Sequence, residues 1–180
     1  GVYTFEGQHD PFLPLAVASE NTEKLELITA IAVAFARNPM ILANLGYDLN
    51  LMSKGRFILG LGSQIKPHIE RRYSMPWSKP AARMREMVQA MRAIWASWST
   101  GERLDFQGDF YTHTMMTPVF NPGPNPYGNP RVFIAAIGRL MTEVAGEVGD
   151  GILLHPLNTP GFVAEHTLPA LQLGWEKSGR

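Results

Sequence analysis

Apolar positions fall along this chain in two patterns. Short uninterrupted runs alternate with longer stretches whose apolar residues recur three or four positions apart. The first pattern predicts buried strands and the second predicts amphipathic helices. Phe57 to Leu61 is the clearest run, and it predicts a parallel strand covered on both faces. Gly60 and Gly62 close it, followed by Ser63 and Gln64. Glycines at a strand exit allow a ligand or another backbone to approach closely, and they equally serve plain tight packing.

The other runs follow in order. Val2 to Glu6 predicts a short strand, and Gly7-Gln8-His9-Asp10-Pro11 a polar loop. Phe12 to Glu20 has helical spacing. Leu25 to Val33 predicts one continuous strand whose end carries Thr29, Ala30 and Ala32. These small residues make room for something flat or for a neighbouring helix. Asn38-Pro39 is a helix-start signal, and a helix is predicted over Met40 to Met52. Ala81 to Ser99 is the clearest helix, with Met84, Met87, Val88, Met91, Ile94 and Trp95 as a core stripe. Leu104 to Thr112 predicts a hairpin around Gln107-Gly108-Asp109. Thr117 to Pro130 holds five prolines and predicts an extended loop. Arg131 to Ile137 is a further strand ending in small residues and Gly138. Arg139 to Val148 is a helix, and Ile152 to Pro156 a strand with His155 at its exit. Thr159 to Ser178 is a final helix, kinked at Pro169.

Five strands alternating with helices predict βα units and a parallel sheet. In such folds ligands bind where strands exit. Glu6 and His9 stand at one exit, Ser63 and Gln64 at another, and His155 at a third. His9 and His155 suit proton handling or substrate contact, but a turn cap or a satisfied histidine beside Pro156 explains them equally. Lys66, His68, Arg71 and Arg72 follow the glycine exit. They suit an anionic group such as a phosphate, or an exposed face balanced by Glu70.

Composition narrows the picture further. The 180 residues are 45% apolar, enough for one domain with a core. Sixteen basic and sixteen acidic side chains cancel, so no basic field draws nucleic acid or an anionic membrane. A small-molecule substrate is expected instead. No cysteine is present, which removes disulfides and thiolate metal sites. The histidines and acids form no close ligand cluster, so no metal is expected. No apolar run approaches the roughly 20 residues of a membrane span, and a cytoplasmic location is expected. The opening Gly1-Val2-Tyr3, without a Met, is expected of a fragment of a longer protein. G-x-G-x-x-G, P-loop, H-E-x-x-H and G-x-S-x-G motifs are all missing.

Several segments together resemble the bacterial luciferase-like oxidoreductases, and within them the deazaflavin (coenzyme F420) dependent subgroup. These are Glu6 to Phe12, Ala30 to Val33 leading to Arg37-Asn38-Pro39, and Gly55 to Ser63. His68 to Arg72, Met75-Pro76-Trp77, Ala135 to Gly138, and Asp150-Gly151 with His155-Pro156 complete the set. The resemblance implies an α/β fold of TIM-barrel (β/α)8 type, of which about five βα units are present. It would be one partial barrel domain over 1–180, with the hairpin and loop inserted at about 102–130. Five strands leave two open edges, and a homo-oligomer is expected.

The resemblance also implies a cofactor ring at the strand exits. Ala30 and Ile31 would form a non-proline cis peptide against the ring. Gly62 would bind the cofactor as part of an open floor of small residues with Ala30 and Ala136, Ser63 and Gln64 match a phosphate-binding loop, and Ala136, Ile137, Gly138 and Arg139 match the second cofactor-binding exit. Glu6 and His9 would be catalytic, managing the proton that accompanies hydride transfer, and His155 would line the substrate pocket. Luciferases carry a catalytic histidine directly after the glutamate, where this chain has Gly7. The implied activity is F420-dependent oxidoreduction of an organic substrate. An FMN-dependent monooxygenase of the same superfamily, or an inactive cofactor-binding or structural fragment, is the alternative.

Overall fold

All six residues of the strand Phe57–Gly62 are buried. It lies at the centre of a sheet whose strands all run parallel. A computed structural model describes residues 1–179. Its strands are β1 (Val2–Thr4), β2 (Leu27–Thr29), β3 (Ala32–Val33), β4 (Phe57–Gly62), β7 (Arg131–Ala135) and β8 (Gly151–Leu153), with a separate hairpin of β5 (Phe106–Gln107) and β6 (Thr112–His113). The sheet order is β1-β2-β4-β7-β8, with β3 also pairing β4. Leu27 pairs with Phe57, Ile58 with Arg131, and Phe133 with Gly151. Consecutive neighbours joined by helices are what βα units produce, as the alternation of patterns predicts.

The helices are α1 (Leu13–Asn21), α2 (Pro39–Met52), α3 (Pro80–Thr100), α4 (Arg139–Val148), a short α5 (Pro160–Phe162) and α6 (Leu168–Ser178). Asn38 caps α2 by accepting the Ile41 N–H at 2.9 Å, and Pro39 opens its first turn. α3 buries Met84, Met87, Met91, Ile94 and Trp95 completely. Each such side chain contributes about 1.5–3 kcal/mol of burial. The indole N–H of Trp95 donates to the Ala43 carbonyl at 3.1 Å, which ties α3 to α2. The hairpin is held on α3 by one carboxylate. Glu86 accepts the N–H groups of Asp109, Phe110 and Tyr111 at 2.7–3.0 Å.

Two expectations about continuity are corrected. The predicted strand Leu25 to Val33 divides into β2 and β3, because Thr29 takes over the neighbouring backbone groups. Its hydroxyl donates to the Gly60 carbonyl at 2.8 Å and accepts the Gly60 N–H at 2.9 Å. A Cβ on Gly60 would collide with the Thr29 carbonyl, so only glycine permits this approach. Beyond it, Ala30 donates to the Thr4 carbonyl and the Ile31 carbonyl accepts the Glu6 N–H. The ladder with β1 thus continues past the break, while β3 pairs with β4 again at Ala32 and Val33. The predicted final helix is likewise three pieces, with a π-helical segment over Val163–Thr167 between α5 and α6. Pro169 lacks an N–H, so the regular ladder fails one turn before it, and Leu168 donates five residues back to Val163.

Among the described residues, no helix is long and apolar enough to cross a membrane.

Candidate functional site

The loop after β1 is pinned at Glu6, Gly7 and Asp10 to Phe12. Asp10 accepts the Phe12 and Leu13 N–H groups at 2.8 and 3.1 Å, and so starts α1. The Thr4 hydroxyl donates to the Pro11 carbonyl at 2.6 Å. Arg72 donates to the Gly7 carbonyl at 2.7 Å. Glu6 is the hub. Its Oε2 accepts from the Val33 N–H at 2.7 Å and from Arg37 Nη1 at 2.6 Å, while its Oε1 accepts from the Tyr73 hydroxyl at 2.9 Å. Burial, then the Glu6 carboxylate, pushes the Tyr73 hydroxyl above its ordinary range. Arg37 also reaches the Val33 carbonyl at 3.1 Å and Asp10 at 3.4 Å. His9 stands exposed at the crest of this loop.

Next to the hub, the Ala30–Ile31 peptide is cis. Both residues line a cavity of about 450 Å3 at the strand exits. Ala135, Ala136 and Ile137 line it from the end of β7 and the turn after it, and Leu153, Leu154, His155 and Pro156 from the end of β8 and the turn after it, with Tyr3 on β1. Sequence reasoning therefore brought Ala30, Ile31, Ala136, Ile137 and His155 to one place. Glu6 and His9 are not among the lining residues. Glu6 adjoins the cavity through its backbone, which donates to Ile31. His155 Nδ1 accepts the Leu157 N–H at 3.2 Å. In the neutral ring this leaves the hydrogen on Nε2, free to donate.

Gly62 does not open the floor as expected. A Cβ there would stand 2.8 Å from Ile31 Cδ1, so the isoleucine side chain already occupies that space. Ser63 and Gln64 are half-buried at the β4 exit. Gln64 takes φ +58°, which turns the chain into the cationic stretch. Its amide oxygen accepts the Ile65 N–H at 3.3 Å and meets His68 Nδ1 at 3.1 Å. The basic side chains after this exit do not share one partner. Lys66 lies 3.8 Å from Glu70, Arg72 stacks 5.0 Å over Tyr73, and Arg71 is exposed.

Gly138 and Arg139 start α4. Arg139 and Lys177 both bind the Glu143 carboxylate, at 2.9 and 2.7 Å. The Lys177 bond, then the Arg139 bond, holds that carboxyl below its ordinary range. Ile137 and Arg139 also line a second cavity of about 540 Å3, against Phe162, Glu165 and His166. Among the described residues, no group of three or more His, Asp and Glu stands ready to hold a metal ion.

Sequence reasoning missed Arg37, Tyr73 and Thr29 as functional or organising groups. Arg37 lay beside a noted helix start, and nothing local marked the other two. Tyr3 was missed as a lining residue; only its place in the first strand pointed towards the mouth.

The profile described as luciferase-like monooxygenase matches residues 1–180. A protein of Mycobacterium tuberculosis named as uncharacterised is 61% identical over 180 residues, covering all of this chain and 53% of that protein. An F420-dependent glucose-6-phosphate dehydrogenase of Nocardia farcinica is 31% identical over 182 residues, covering 97% of this chain and 52% of the enzyme. Among solved structures, an F420-dependent secondary alcohol dehydrogenase in complex with an F420-acetone adduct superposes with a TM-score of 0.81. It shares 21% identity and covers 96% of this chain and 51% of its own. The chain thus spans about half the length of the curated relatives it matches.

Proposed function

This chain belongs to the luciferase-like monooxygenase family, and from that premise we propose that it holds coenzyme F420 at its strand exits for hydride exchange with an organic substrate. The observation that carries this reading is the apolar cavity of about 450 Å3 floored by Ala30, Ile31, Ala135 and Ala136. A shallow floor of small and aliphatic residues fits the face of a flat tricyclic ring. The bound coenzyme supplies hydride transfer at its ring. The chain's own residues do the remaining work.

Ala30, Ile31, Ala136 and Ile137 hold the ring face and exclude water from it. Ser63 and Gln64 follow the β4 exit, Gly138 and Arg139 follow the β7 exit, and all four suit the phosphate of the tail, with Arg71 as an exposed charge nearby in sequence. Glu6 has its carboxylate filled by Val33, Arg37 and Tyr73. Its part is therefore to orient the loop, while His9 takes or gives the proton at its imidazole.

Titration of the purified chain with F420 and with FMN, followed by fluorescence quenching, tests the reading. Saturable binding of F420 in preference to FMN is expected. Tighter FMN binding moves the chain to a flavin-dependent reaction, and binding of neither overturns the proposal.

A further inference from the structure

The loop that carries His9 is held firmly at its two ends. At one end the Glu6 N–H donates to the Ile31 carbonyl at 3.0 Å, and the Glu6 carboxylate takes the Val33, Arg37 and Tyr73 donors. At the other end Asp10 accepts the Phe12 and Leu13 N–H groups. Between them, among the described residues, the stretch from Gly7 to His9 makes a single hydrogen bond: Arg72 Nη2 donates to the Gly7 carbonyl at 2.7 Å. Gln8 and His9 are exposed, so packing does not hold them, and a glycine before them leaves the backbone free to turn. Arg72 is itself well placed. It ends the π-helical segment His68–Arg72 that follows the β4 exit, a kind of turn that recurs at functional sites. His68 Nδ1 meets Gln64 Oε1 at 3.1 Å, and the Tyr73 N–H closes the segment on the His68 carbonyl at 3.1 Å. The Arg72 guanidinium lies 5.0 Å over the Tyr73 ring, whose hydroxyl grips the same loop at Glu6.

We propose that Arg72 is a positioning residue for the proton step: by holding the Gly7 carbonyl it fixes the direction in which the loop presents the His9 imidazole at the β1 exit. This rests on the proton-handling part given to His9 above. A proton donor or acceptor acts only within hydrogen-bond reach and in alignment, so a loosely held imidazole loses its effect on rate. Arg72 touches neither the cavity lining nor His9 itself. It acts through one backbone carbonyl, two residues before the imidazole.

The test is NMR on the purified chain, reading backbone amide order parameters at Gly7, Gln8 and His9 and the imidazole Cε1–H resonance of His9 with and without F420. In the unaltered chain the order parameters should approach those of rigid backbone, about 0.85. Arg72→Met removes the donor and should lower them below about 0.6. The melting midpoint should stay in place, because Arg72 is exposed and a surface substitution rarely shifts stability. F420 should move the His9 resonance in the unaltered chain and leave it still in Arg72→Met, with affinity within a few-fold. Arg72→Lys, which retains a donor, should restore both the order and the F420-induced shift. Unchanged order parameters in Arg72→Met overturn the proposal, as does an F420-induced His9 shift that survives the loss of order. Equal loss in Arg72→Met and Arg72→Lys with a lowered melting midpoint also overturns it, since the residue is then merely structural. Loss of order in Arg72→Met in a chain that binds no F420 upholds the hold on His9 and rejects the coenzyme reading. F420 binding with order unchanged does the reverse, so the two failures are distinguishable.

Discussion

Glu6 and Arg37 lie 31 positions apart in sequence, yet Glu6 Oε2 and Arg37 Nη1 stand 2.6 Å apart. Their side chains are only 7% and 16% exposed. The contact joins the exit of β1 to the turn after β3, and Tyr73 adds the stretch after β4 through the other carboxylate oxygen. Three strand exits thus meet on one carboxylate. A buried pair of this kind contributes little over apolar packing, but removing one partner strands the other.

Arg37→Met should therefore destabilise the fold by about 3 kcal/mol. Tyr73→Phe removes one hydrogen bond to a charged acceptor and should cost about 1–2 kcal/mol. Urea unfolding of both variants checks the order. Equal, small effects would show that the carboxylate is adequately solvated without them.

His9 is the exposed imidazole on a loop fixed by others. His9→Ala should lower turnover by roughly 10²–10⁴-fold, the usual value of a positioned acid or base. F420 affinity should stay within a few-fold. Unchanged turnover rejects its proton-handling role.

Thr29→Val keeps the side chain's shape and removes both bonds to Gly60. Two buried backbone groups lose their partner, and the expected cost is about 2–3 kcal/mol. Thr29→Ser retains the hydroxyl and should cost less than half of that. Denaturant midpoints of the pair decide whether the hydroxyl or the methyl group matters.

His113 and Glu143 both contribute to the acid side of stability, in separate pH windows. His113 is pushed below its usual value near 6.5 by burial, and its Nε2 is buried without a hydrogen-bond partner. Below about pH 6.5 the unfolded chain takes up a proton that the folded chain resists. Stability is therefore full above that pH and falls as pH drops towards the folded value. His113→Phe should flatten this limb. Glu143 is held below its usual 4.5 by Lys177 and Arg139. Its contribution is present above the ordinary carboxylate range and is lost only as pH falls further. Lys177→Met should reduce stability at neutral pH and leave the pH 5–6 slope alone. Thermal unfolding across pH 3–8 separates the two windows.

Much of the architecture was legible from the order of residues because its signals are local. An unbroken run such as Phe57 to Leu61 has no solvent face to offer, so it becomes a strand buried on both sides. Met84, Met87, Met91 and Trp95 share one helix face by spacing alone, and Asn38-Pro39 marks a helix start by its own hydrogen-bonding chemistry. Alternation of these elements dictates a parallel sheet, and small residues at strand exits dictate where a cavity forms. The sequence by itself therefore determined the βα order, the core and the general position of the mouth, with Ala30, Ala136 and His155 around it. Only the tertiary structure decided what each polar group does there. It split the expected strand at Thr29, filled the space over Gly62 with Ile31, and brought the Arg37 and Tyr73 side chains onto the Glu6 carboxylate. These outcomes depend on contacts between residues some 30 to 70 positions apart. A carboxylate's role follows from which donors reach it, and spacing along the chain carries no record of that.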